Sequence, residues 1–109
     1  MYANAPPLNG SGLLNNNNNL VINGPQGAIG VNQRYKFSAT GGTPSPVSAN
    51  LPTGYLWSFV PPGSNGPTTS TSTAAIAADG TFVSTAPGQF HIQVNDNASQ
   101  SATFLVTVQ

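Results

Sequence analysis

Near the C-terminus, apolar and polar side chains alternate with a period of two. Phe90, Ile92 and Val94 alternate with His91 and Gln93, and Ala102, Phe104, Val106 and Val108 alternate with Thr103, Leu105 and Thr107. Successive side chains of an extended strand point to opposite faces, so this spacing describes two strands, each with one dry face. A helix of the same residues would scatter the apolar groups around its axis. The intervening Asn95-Asp96-Asn97 is turn-forming and separates the two strands.

The same pattern recurs upstream. Tyr35, Phe37 and Ala39 share one side, while Arg34, Lys36 and Ser38 take the other. Tyr55, Trp57 and Phe59 form an aromatic stripe in the run 55–60. Asp79-Gly80 before Thr81-Phe82-Val83 is a hairpin-turn signal, which predicts a strand over 81–83 and a preceding partner near Ser70 to Ala77. Short apolar runs at 20–22 and 28–31 complete seven or eight strands, in order A, A′, B, C, D, E, F and G. No stretch carries a helical period. A chain of 109 residues has room for one hydrophobic core.

Residues 1–19 differ from the rest. They are rich in Asn, Gly and Pro, include the run Asn15 to Asn19, and follow neither the helical nor the strand period. The expected organisation is an extended N-terminal arm over 1–19 and a β domain over 20–109. Leu8, Leu13 and Leu14 are too sparse to fold alone but suited to docking on a neighbour.

Five segments, in order, resemble bacterial Ig-like domains: Tyr35-Lys36-Phe37-Ser38-Ala39-Thr40-Gly41-Gly42, Tyr55-Leu56-Trp57-Ser58, Ala78-Asp79-Gly80-Thr81-Phe82, Ala86-Pro87-Gly88-Gln89-Phe90-His91-Ile92-Gln93-Val94 and Phe104-Leu105-Val106-Thr107-Val108. The resemblance spans roughly residues 26 to 109 and implies an immunoglobulin-like β-sandwich of seven to eight antiparallel strands. Such modules occur in bacterial surface proteins and on phage virions. Trp57 then stands where a sandwich buries a tryptophan, while Phe90 and Ile92 replace the Tyr and Cys of the usual strand-F pattern. The inter-sheet disulfide and the tyrosine-corner hydrogen bond are lost with them, leaving apolar packing as the expected source of stability.

Only four residues are charged: Arg34, Lys36, Asp79 and Asp96. Two cations cannot neutralise a run of phosphates, so nucleic-acid binding is not expected. The chain has no cysteine, which removes disulfides and thiolate chemistry, and no apolar run spans a bilayer. Asp79 and Asp96, on loops at one end of an Ig topology, are the best carboxylate pair for a glycosidase, but both occupy positions where Asp makes turns. His91 points outward and has no nucleophile pattern beside it. Asn95-Asp96-Asn97 offers oxygen ligands to calcium with a single carboxylate, a poor site. The stripe Tyr55, Trp57 and Phe59 would be a sugar platform if exposed and is packing if it faces the core. Neither catalysis nor a cofactor is therefore expected.

The expected function is that of a non-enzymatic structural protein, a virion decoration or accessory protein on a capsid or tail lattice or on copies of itself. A start at Met1 without a leader, the arm, and a near-neutral surface that permits close packing of copies motivate this reading. The alternative is an extracellular adhesive module of a bacterial surface protein that binds glycans with its tip loops, among them the long segment 41–54. Interface residues are expected on the arm at Leu8, Leu13 and Leu14. On the outer parity of strands C, F and G, Leu56, Val60, His91 and Leu105, with Gln93, are expected to form a shared patch.

Overall fold

The structure, a computed structural model, describes residues 19–109. The proposed arm, with Leu8, Leu13 and Leu14, lies outside the described residues except for Asn19. The described chain is all-β: β1 (Val21–Asn23), β2 (Tyr35–Lys36), β3 (Ser38–Thr40), β4 (Leu56–Val60), β5 (Ala74–Ile76), β6 (Thr81–Ser84), β7 (Gly88–Asn95) and β8 (Ser101–Val108).

These strands form three antiparallel sheets, ordered β1-β3, β2-β6-β5 and β4-β7-β8. β2 and β3 are one extended run interrupted at Phe37, whose N–H donates to Gly80 O at 2.9 Å. The first half of that run pairs with β6 and the second with β1, so the first two sheets adjoin through it. After β4 the chain stays at that strand's edge as far as Thr68, which exchanges both backbone hydrogen bonds with Phe59 at 2.8 Å. It then reaches β5 through the bridge Ser70–Ala75. Ile29 makes a parallel bridge to Val108 at the free edge of β8.

The alternating stripes explain where the core sits. Phe90, Ile92 and Val94 of β7, Val106 and Val108 of β8, and Trp57 and Phe59 of β4 are buried against Phe37, Phe82 and Ile76 from the other sheets. Phe82 is central. Its ring meets Phe37, Phe59 and Phe90 edge-on, with centroids 6.4, 5.3 and 5.2 Å away, and Phe104 meets Phe37 at 5.7 Å. Edge-to-face contacts of this kind contribute about 0.5–1.5 kcal/mol each beyond the area they bury.

The Asp79-Gly80 signal does make the β5–β6 hairpin. Ala77 O accepts from Gly80 N–H, Ala77 N–H donates to Thr81 O, and Gly80 has φ of 92°. A Cβ at Gly80 would stand 2.5 Å from Phe37 O, so glycine is required by both torsion and space.

Two expected strands are shorter than the sequence suggests. The run 70–77 narrows to β5, because Thr71 Oγ1 accepts from the N–H groups of Thr73 and Ala74 and folds the preceding residues into a turn. The run 28–31 narrows to the single bridge at Ile29, next to Gly30, whose N–H donates to the Gln33 side chain.

Trp57 is buried, and its indole N–H donates to Thr53 Oγ1 at 3.2 Å. Trp57→Ala is expected to lower the stability by about 3–5 kcal/mol, mainly through the cavity it leaves. Chemical denaturation measures this, and a change below about 1 kcal/mol would contradict the placement of Trp57 in the core.

Candidate interface

β4, β7 and β8 turn one face to the core and the other outward. Leu56 and Leu105 stand on the outer face with 59% and 48% of their surface accessible. His91 is exposed on the same face, and Val60 and Gln93 are half-buried. The outward parity expected of these residues is the one the structure adopts.

The register divides them. Val60 pairs with His91 and His91 with Leu105, so these three side chains form one row across all three strands. The next row is polar, Ser58–Gln93–Thr103, and Leu56 belongs to the row beyond, with Asn95 and Ser101. Leu56 and Val60 are four strand positions apart, roughly 13 Å. The expected single patch is therefore two sites, an apolar row centred on His91 and a separate position at Leu56.

The aromatic stripe resolves in favour of packing. Tyr55, Trp57 and Phe59 are all buried and present no exposed platform to a sugar. Tyr55 instead adds a polar contact that the sequence reading missed: its hydroxyl donates to Gly41 O at 2.8 Å. Apolar packing alone was expected, yet a tyrosine immediately before β4 ties the long segment 41–54 to the sheet. Only the presence of a tyrosine at the mouth of that strand hinted at this.

Asp96 does more than turn the chain. Its Oδ1 accepts from the N–H groups of Ala98 and Gln100 at 2.9 and 2.8 Å, and its Oδ2 accepts from Thr43 N–H at 2.7 Å. Asn97 N–H donates to Thr43 O at 2.8 Å, so the β7–β8 turn grips both backbone groups of Thr43. The carboxylate is engaged by three donors, an arrangement that fixes two loops and leaves it a weak candidate for calcium or proton transfer. Asp79 is likewise a turn residue, accepting from Thr81 N–H at 3.0 Å. Among the described residues no three His, Cys, Asp or Glu side chains gather as a metal site would require.

Both carboxyls are held below the ordinary value of 3.8. For Asp79 the Thr81 hydroxyl is the main cause, followed by the Thr81 N–H; desolvation opposes them, and the Lys36 charge assists. For Asp96 desolvation is the largest influence and raises the pKa, but the backbone donors of Gln100, Thr43 and Ala98 together outweigh it.

Comparison with protein-family models, with curated proteins and with solved structures finds no match. The resemblance to bacterial Ig-like domains thus rests on the residue pattern.

A carboxyl depressed in the folded state stabilises it above the unfolded pKa, and that stabilisation is lost as the pH falls through the folded value. Acid titration of the fold is therefore expected to show stability constant above the ordinary carboxylate value of 3.8 and declining below it. Asp96→Asn should flatten this acid limb and lower the stability at neutral pH. Melting curves across the acid range check both, and an unchanged acid limb in the variant would contradict the role of the Asp96 carboxylate in holding the β7–β8 turn to Thr43.

Proposed function

We propose that the chain is an immunoglobulin-like sandwich that works as a non-enzymatic assembly module, joining a repeated protein lattice such as a phage capsid or tail through the outer face of β4, β7 and β8. The row Val60–His91–Leu105 carries this reading. It places two aliphatic side chains on either side of an imidazole on a face whose other residues, Leu56 apart, are Ser, Thr, Asn and Gln, a composition that forms a small apolar contact with a polar rim. The order of pairing supports the sandwich: β1-β3 and β2-β6-β5 on one side, β4-β7-β8 on the other, and the Ile29 bridge at the edge of β8 correspond to the A-B-E-D and C-F-G arrangement with an A′ segment beside G.

The chemistry of the titratable groups favours assembly over catalysis. Asp79 and Asp96 are bound to backbone donors within their own turns. Zero net charge lets identical copies crowd on a lattice without long-range repulsion.

The reading predicts an asymmetry between two exposed leucines. Leu105→Asp should leave the fold within about 0.5 kcal/mol of the parent while reducing occupancy on the parent particle at least about tenfold. Leu56→Asp, outside the row, should change occupancy little. Denaturation and co-sedimentation with the particle measure these effects. Full occupancy with Leu105→Asp would exclude the row as the contact.

A further inference from the structure

Leu56 has a different setting from the His91 row. It stands with half-buried Leu51 between two grooves that share these leucines. One, of about 260 Å³, is also lined by Asn50, Ile76 and Ala77. The other, of about 200 Å³, is walled by Asn95, Asp96 and Asn97. An exposed leucine between two apolar-floored grooves is an unpartnered surface, and the course of the chain indicates what covers it.

The described chain begins at Asn19, at this same end of the molecule. Asn19 passes against Gly41, where a Cβ would collide with the Asn19 carbonyl. Leu20 lies against Gly42, as does Asp96 Oδ2, and Asn95, the neighbour of Asp96, pairs with Leu56. From Asn19 to Leu56 is thus a path of about 15–20 Å along adjoining and paired backbone. The residues before Asn19 include the adjacent Leu13 and Leu14, and five extended residues reach about 18 Å. Residues 1–18 carry no charged side chain, which suits grooves lined mainly by apolar and uncharged polar residues, with Asp96 the one charged side chain. A further acceptor waits at the same turn: Gln100 Oε1 is buried with no hydrogen-bond partner among the described residues, and such atoms normally receive a donor.

We propose that Leu13 and Leu14 dock in the grooves beside Leu51 and Leu56 of their own chain, so that the N-terminal segment covers the end of the β4–β7–β8 face. The short tether makes the contact intramolecular, with a high effective concentration. The docking does not depend on the assembly role of the His91 row, which lies two rows away.

The test uses the full chain in solution, without any particle. Methyl NMR should show cross-relaxation between Leu13 or Leu14 and Leu51 or Leu56, with intensity per molecule unchanged on about tenfold dilution. In the full-length double variant Leu13→Asp, Leu14→Asp, those cross-peaks should vanish and the Leu51 and Leu56 methyl resonances should move, while those of buried Val94 and Val106 stay in place. Leu56→Asp, at a site with 59% of its surface accessible, should release the same contacts from the other side. Absence of the cross-peaks in the parent chain would overturn the proposal. So would cross-peaks that fade on dilution, because they would place the segment on a second copy.

Discussion

The ring of Phe82 holds the architecture together. It projects from the middle strand of one three-stranded sheet and touches Phe59 and Phe90 of the facing one, as well as Phe37 on the run that links β2 to β3. With no cysteine available, this aromatic cluster does the work of a covalent cross-link between the sheets. Each buried Phe contributes on the order of 1.5–3 kcal/mol from burial. The edge-on geometry also fixes the separation of the sheets. Gly80 belongs to the same arrangement, because the turn it permits brings β6 close enough for Phe82 to reach the centre.

The outer surface follows from that core. Once Trp57, Phe59, Phe90, Ile92, Val94, Val106 and Val108 point inward, Leu56, Val60, His91 and Leu105 must point outward. A slip of one residue in β7 would expose the aromatic cluster, so the outer row is specified as strongly as the core. Two loops then close the end of the structure through polar contacts, Asp96 to Thr43 and Tyr55 to Gly41. The grooves beside Leu56 lie at that end.

Much of the β organisation was legible because alternation is a local property. The parity of β4, β7 and β8 could be read from neighbouring residues, and the Asp79-Gly80 hairpin from its own turn chemistry. Long-range contacts were not legible. Asp96 and Thr43 are separated by 53 positions, and their hydrogen bond depends on how the segment 41–54 folds back on the β7–β8 turn. Register was equally hidden. Parity alone put Leu56 and Leu105 on one face, but only the pairing of His91 with both Val60 and Leu105 shows that Leu56 stands apart. The shortened strands reflect competition from side chains, as at Thr71, which a count of β-favouring residues overlooks.

If the Phe82 cluster joins the sheets into one cooperative unit, native-state hydrogen exchange tests it most directly. The slowest amides of β6 and β7 should then exchange only through global unfolding, with equal opening free energies and equal denaturant dependence. Opening of β5 and β6 at markedly lower free energy, while β7 and β8 remain protected, would show that the sheets are held separately and would contradict the account.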